Sequence, residues 1–255
     1  WSSGFVLSTF SSTWKSVEGG YNLDLDSTYY GLVFNASSVF TTNILAEGKP
    51  YGALTAYKTN GVEDGYWVLQ DVNGDGNVDY EDRSVVGSGI PQVTLGWRNE
   101  FTMGQFDLNL LITGAFGHDL INETAVMYQP NLTAFRGGNA LETYSELEPV
   151  YNPFLADYFI QNASYLRLAN LEFCYRPQIS SGSKIHDLKV YAVASNLLTI
   201  TSYSGNSPDY SLASRDYGLS NADLGELDPI LTGNDRANSM FPYRSFTIGI
   251  RASLF

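Results

Sequence analysis

The sharpest chemical spacing in the chain is Asp71-Val-Asn73-Gly-Asp75-Gly76-Asn77-Val-Asp79-Tyr-Glu81-Asp82. Oxygen-bearing residues at the first, third and fifth positions, with glycine at the sixth, match the opening of a calcium loop. Asp71, Asn73 and Asp75 would converge on the ion while Gly76 takes the sharp turn. Asn77 would add its backbone carbonyl, Asp79 would act through water, and Asp82 stands at the twelfth position. Aspartate there replaces the usual bidentate glutamate and shortens the reach. The same residues also suit a metal-free turn, because Asn-Gly and Asp-Gly pairs favour turns by themselves. Both readings stand at this level. Calcium is the one cofactor the sequence points to, and it would order a segment without performing a reaction.

Other reactive residue types are scattered. His118 and His186 neighbour no nucleophile in a recognisable motif, and general-base work needs a partner within hydrogen-bond reach. Both read as histidines at loop ends. Cys174 alternates with Phe173 and Tyr175 and reads as an inert wall residue. As a single cysteine it also excludes an intrachain disulfide framework and a Cys-rich zinc site. No spacing singles out a carboxylate pair, so a β-sandwich hydrolase is the weakest reading. No catalytic residue is assigned, and an enzyme is not expected. Asn-x-Ser/Thr triplets at Asn35, Asn122, Asn131 and Asn162 arise readily by chance and carry no role.

The elements that must position these residues are strands. With 44% hydrophobic residues and 14% aromatic, the 255-residue chain can bury a large apolar surface, which excludes disorder. Acidic residues outnumber basic ones 27 to 14, a balance that excludes a nucleic-acid groove. From Gln105 to Gly117, Phe106, Leu108, Leu110, Ile112, Gly114 and Phe116 fall on one face, against Asp107, Asn109, Leu111, Thr113 and Ala115. That period of two is a half-buried strand. Val93–Phe101 repeats it, and Met103-Gly-Gln105 makes the turn between them. Further strands are expected at Phe5–Trp14, Thr28–Leu45, Ser164–Arg176, Leu188–Ile200 and Arg244–Phe255, long for a soluble sheet. In the last, Phe246, Ile248, Ile250, Ala252 and Leu254 point one way and Arg251 the other. An arginine facing lipid at midplane would cost roughly 2–4 kcal/mol, and facing a wet lumen it costs little. Tyr29, Tyr30, Trp97, Tyr175 and Tyr191 are candidates for interfacial girdles.

Links between these strands run short, long, short, long, short, long, the long ones near 46–91, 118–163 and 201–243. Outer-membrane barrels sort their connections in this way, with brief periplasmic turns and long external loops. Strand-like sequence from Trp1 onward also fits a chain that begins inside a larger protein.

Several ordered motifs then carry a resemblance. They include Glu47-Gly-Lys-Pro50-Tyr-Gly, Tyr57-Lys-Thr-Asn-Gly61, the Asp71–Asn77 run with Asp82-Arg83, and Phe106-Asp-Leu leading to Gly114-Ala-Phe-Gly117-His-Asp119. Ala163-Ser-Tyr-Leu-Arg167-Leu-Ala-Asn170-Leu, Ser195-Asn196-Leu-Leu, Tyr203-Ser-Gly205 with Pro208-Asp209, and Phe241-Pro-Tyr-Arg244-Ser-Phe-Thr-Ile-Gly249-Ile follow. Together they resemble the SusC/RagA family of TonB-dependent outer-membrane transporters. The resemblance implies an all-β, antiparallel transmembrane barrel of about 22 strands around a plug. Residues 1–255 would form its C-terminal portion, roughly the last seven strands. It implies import of oligosaccharides or oligopeptides across a bacterial outer membrane, with the long loops extracellular. The implied partners are a SusD-like surface lipoprotein, TonB acting through a plug segment absent from this chain, the remaining N-terminal barrel, and outer-membrane lipid. The terminal strand carries one residue more than the family pattern, so a bulge is expected near Ala252-Ser253. Segment 206–241, with Asp209, Asp216, Asp223, Asp228 and Asp235, is less family-like and reads as solvated acidic loop. The alternative is a calcium-stabilised extracellular β-module for adhesion or carbohydrate binding.

Overall fold

The computed structural model describes residues 1–15, 28–34, 39–128, 154–180, 185–209, 232–237 and 242–254. Six long strands form one sheet: β1 (Ser2–Thr9), β8 (Val93–Met103), β9 (Phe106–Phe116), β12 (Tyr165–Tyr175), β13 (Ile185–Thr201) and β15 (Ser245–Leu254), adjacent in that order. Every neighbouring pair is antiparallel, so the sheet is an up-and-down meander. Its short-link end joins β8 to β9 through Gly104, whose φ of +61° is left-handed backbone that glycine adopts without strain. At the opposite end the chain leaves for three long excursions, residues 10–92, 117–164 and 202–244.

The span Thr28–Leu45, expected as one wall strand, is two: β2 (Thr28–Phe34) pairs antiparallel with β3 (Val39–Leu45). Between them stands Asn35-Ala-Ser-Ser38, a small and mostly polar sequence of the kind that favours a turn, which lies outside the described set. Consequently the wall contains six described strands, and the loop expected near 46–91 is the later part of a longer excursion. The strand expected at Phe5–Trp14 lies at Ser2–Thr9. The bulge expected in the last strand lies in its partner: Ile185 pairs with Leu254 and Asp187 with Ser253, which leaves His186 as the extra residue.

The excursions fold into a cap with short elements of its own. The first excursion adds β4 (Ala53–Tyr57), β5 (Thr59–Glu63), β6 (Tyr66–Leu69) and β7 (Arg83–Ser88) to β2 and β3. The second contributes β10 (Asp119–Asn122), helix α1 (Glu123–Tyr128) and β11 (Ile160–Asn162), and the third contributes β14 (Asn234–Asp235). Sheet β2-β3-β4-β7 lies beside sheet β11-β10-β14 and hairpin β5-β6. Their shared core consists of Phe40, Leu54, Ala56, Ile121, Ala125, Val126, Leu155, Ala156 and Phe159, all buried. Three excursions meet where backbones nearly touch. A side chain on Gly89 would fall 2.6 Å from Gly233 Cα, so only glycine fits.

Candidate functional site, a two-faced wall under a packed cap

Register places the wall's side chains in two opposed sets. On one face stand Phe5 and Leu7; Leu95, Trp97 and Phe101; Phe106, Leu108, Leu110 and Ile112; Leu166, Leu168, Leu171, Phe173 and Tyr175; Val190, Ala192 and Ala194; and Phe246, Ile248 and Ile250. Ile248 is 83% exposed, far beyond what an isoleucine tolerates in water across so continuous a patch. Polar residues on this face include Ser3, Thr9 and Asn99; Ser3 accepts from Trp97 Nε1 at 2.9 Å and Asn99 from Trp1 Nε1 at 3.4 Å. Phe106 stacks on Phe173 and Tyr175 at centroid distances of 5.7 and 5.0 Å, an aromatic row at the short-link end. The 11-residue strands β8, β9 and β12, at about 3.3 Å per residue and roughly 40° tilt, cover about 28 Å, the hydrocarbon thickness of a bilayer.

The opposite face carries the charge. Lys189 Nζ reaches Glu172 Oε1 at 2.9 Å, and Asn109 donates to Glu172 Oε2 at 3.3 Å. Arg176 approaches Asp107 Oδ2 at 2.8 Å without the alignment of a hydrogen bond, while Thr102 donates to Asp107 Oδ1 at 2.9 Å. Arg98 pairs with Glu100, and Arg251 lies opposite Lys189. Cys174 is buried here and donates to Glu172 at 2.9 Å. Tyr191, expected in an interfacial girdle, stands on this face opposite Cys174 and Gly249, so it cannot serve an apolar rim. Tyr29 and Tyr30 belong to β2 in the cap, away from the wall.

Where cap meets wall, the polar groups are buried and paired. His118 is fully buried, unlike a solvated loop-end histidine, and its Nε2 lies 3.0 Å from the Pro208 carbonyl. A carbonyl only accepts, so Nε2 carries the proton. Burial holds the imidazole below its ordinary range, against the raising influence of the Pro208 carbonyl and of Asp119 and Asp209. Asp235, expected as solvated, accepts from Tyr203 Oη at 2.9 Å, Asn206 N at 2.6 Å and Ser207 N at 3.2 Å. Burial raises this carboxyl, outweighing those three donors. Burial first, then the neighbouring Asp235 charge, pushes the Tyr203 phenol up. Glu123 accepts from Ala237 N at 3.0 Å, and β14 pairs parallel to β10. Asp216, Asp223 and Asp228 lie outside the described residues. The sequence signal missed at Asp235 was positional: only its two-residue strand against β10 brings it under Tyr203.

The Asp71–Asp82 loop sits apart on the first excursion, after β6. Asp71 accepts from Gly74 N at 2.6 Å and Gly76 N at 2.8 Å, curling the loop's start around one carboxylate. Asn73 Oδ1 accepts from Asp75 N, and Asp75 Oδ1 from Asn77 N. Asp82 turns inward: Oδ1 accepts from Val72 N and Asn73 N, and Oδ2 from Asp79 N. Those backbone donors, Asp79 foremost, hold its carboxyl below the usual range. Thus Asp71, Asn73 and Asp75 share the exposed rim, while Asp82 closes the loop's base. Among the described residues no three His, Cys, Asp or Glu side chains converge as a metal cluster.

Comparison with known proteins agrees with this architecture. No protein-family model matches the chain. It is 24% identical to TonB-dependent receptor P3 of Formosa agariphila across 82% of its own length, and 24% identical to TonB-dependent receptor P39 of the same organism across 56%. A chain of the RagAB peptide transporter superposes with TM-score 0.51 at 19% identity, over 73% of this chain. A chain of the RagAB peptide importer in its open-open state gives 0.53 at 16% identity, over 81%. In sequence the chain is similar to TonB-dependent receptors, and in fold to the RagAB transporter chains. It spans 23% and 16% of the two Formosa receptors and 22% and 26% of the two RagAB chains. The six-stranded meander has the form of a stretch of antiparallel barrel wall such as those chains contain. No helix among the described residues is long and apolar enough to cross a membrane, which says nothing of a β-barrel.

Proposed function

We propose that this chain is wall and external cap of a TonB-dependent importer in a bacterial outer membrane. It would carry oligosaccharides or oligopeptides together with a SusD-like surface lipoprotein. One observation supports this most: the six-stranded wall is apolar on one face and charged on the other, with all three long excursions at one end. Only lipid outside and water inside favours that sorting at once, because lipid offers the outward face no hydrogen-bond partners and a wet lumen offers the inward face many. The outer end would be the capped end. TonB would act through a plug contributed by another part of the full-length protein, and the work is gated passage without covalent chemistry.

The test is uptake by cells expressing the full-length protein, using fluorescent oligosaccharide and oligopeptide mixtures, with and without TonB. Accumulation of one class that requires both the protein and TonB supports the reading. Equal uptake without TonB, or a protein recovered in the soluble fraction, contradicts it. For the Asp71–Asp82 loop we propose calcium, supported by the Asp71, Asn73 and Asp75 oxygens on one exposed rim.

A further inference from the structure

Strands β12 and β13 carry irregularities at the same level. In β12, Leu168 pairs with Ile112 and Asn170 with Leu111, which leaves Ala169 as an extra residue. In β13 the corresponding partners are Leu198 and Ser195, with Asn196 and Leu197 between them. Asn196 takes φ +52°, a conformation that asparagine tolerates and β-branched residues do not. The extra residue has a consequence for facing. A regular strand would put residues 167 and 170 on opposite faces, since side chains alternate with period two. With Ala169 inserted, both share the charged face, so the bulge turns Arg167 inward.

Once there, Arg167 is 8% exposed. It donates from Nη1 to Asp209 at 3.0 Å and from Nε to Thr199 at 3.2 Å. Its guanidinium lies 4.7 Å from the Tyr165 ring centroid. Asp209 lies in a short strap, residues 203–209, which starts with Tyr203 N donating to Thr201 Oγ1 of β13 at 3.1 Å and is otherwise bonded mainly to the cap: Tyr203, Asn206 and Ser207 to Asp235, Ser204 to Gln161, and the Pro208 carbonyl to His118. Beyond the Tyr203–Thr201 bond next to β13, the Arg167–Asp209 pair ties the far part of the strap to the wall strands. Such a buried pair loosens sharply when one partner is removed, because the survivor keeps an uncompensated charge.

We propose that Arg167 is the positioning residue of a latch: turned inward by the paired bulge, it holds Asp209 and fixes the 203–209 strap across the capped end of the charged face. Opening this pair frees the Asp209 part of the strap to shift against the wall, which makes the pair a control point for passage at the mouth. Calling that face the lumen rests on the transporter reading; the latch geometry does not.

The test is amide hydrogen exchange on the full-length protein in outer-membrane vesicles. Arg167→Met and Asp209→Asn should each speed exchange of the 204–207 and 209 amides by about tenfold, and the double variant by no more than either. The swap Arg167→Asp with Asp209→Arg should recover most of the protection, while β10 amides stay protected throughout. Asn196→Gly should leave the strap protected and Asn196→Val should expose it. Unchanged exchange, additive singles, no recovery by the swap, equal behaviour of the two Asn196 variants, or β10 loosening alongside the strap would each overturn the latch. Extraction of the same vesicles with carbonate separates the two ideas: a protein released from the membrane with its coupled exchange intact sinks the transporter reading alone.

Discussion

Wall and cap use the same residue types under opposite rules. In the wall, Phe246, Ile248 and Ile250 stand exposed while Glu172 and Lys189 pair on the other side. In the cap, Leu54, Leu120 and Ile121 are wholly buried. The cap is built as a water-soluble domain is, with apolar groups drawn together by their exclusion from water. The wall has no such core, and its apolar face makes sense only against an apolar surrounding. Solvent, more than residue type, decides where each isoleucine sits.

Core truncation should therefore separate the two regions most strongly. Leu54→Ala removes a fully buried side chain from the cap and should cost about 2–5 kcal/mol. Hydrogen exchange should show β4 and β10 loosening while β8 and β9 remain protected; equal loosening of both would mean that the wall leans on the cap. The reciprocal change acts on the wall. Ile248→Arg places a charge on the apolar face and should weaken insertion of the full-length protein into lipid vesicles by roughly 2–4 kcal/mol, whereas Thr247→Arg on the opposite face should cost much less. Equal penalties would break the inside–outside assignment.

The wall was largely legible in the sequence, and the cap was not. The alternation from Phe106 to Phe116 marked β9 unaided, because one side chain in two must face each environment. The Thr28–Leu45 span misled because two apolar runs either side of Asn35-Ala-Ser-Ser38 read as one long strand. Cap elements are short, and their partners lie far off in the chain: β14 has two residues and pairs with β10, more than a hundred positions earlier. No local period announces such a contact. Asp235 and His118 looked like loop residues for the same reason, since their burial comes from segments that sequence order keeps apart. The Asp71–Asp82 spacing was plain, yet the inward turn of Asp82 depends on the amides of Val72, Asn73 and Asp79 closing around it.

Two smaller effects sharpen the contrast at the junction. Burial raises Asp235, so its protonated form favours the folded cap. That contribution is complete below the ordinary carboxylate range and is lost as pH rises through the raised value. Cap protection in β10 should accordingly decline as pH rises through that window, and Asp235→Asn should flatten the decline without touching the wall. A steeper decline in the variant would contradict the burial account. Calcium should have the most local effect: added to metal-free full-length protein, it should slow exchange of the 72–79 amides alone. Unchanged exchange at millimolar calcium would leave the loop as a self-closed turn.

Which side of the wall meets lipid can be read along β15, by single-cysteine labelling of residues 245–250 in a Cys174→Ser background of the full-length protein in bilayers. Each label would be read for contact with lipid-borne and water-borne quenchers. Positions 246, 248 and 250 should be quenched from lipid and 245, 247 and 249 from water, a strict period of two. Quenching from water alone at all six positions would contradict the membrane wall.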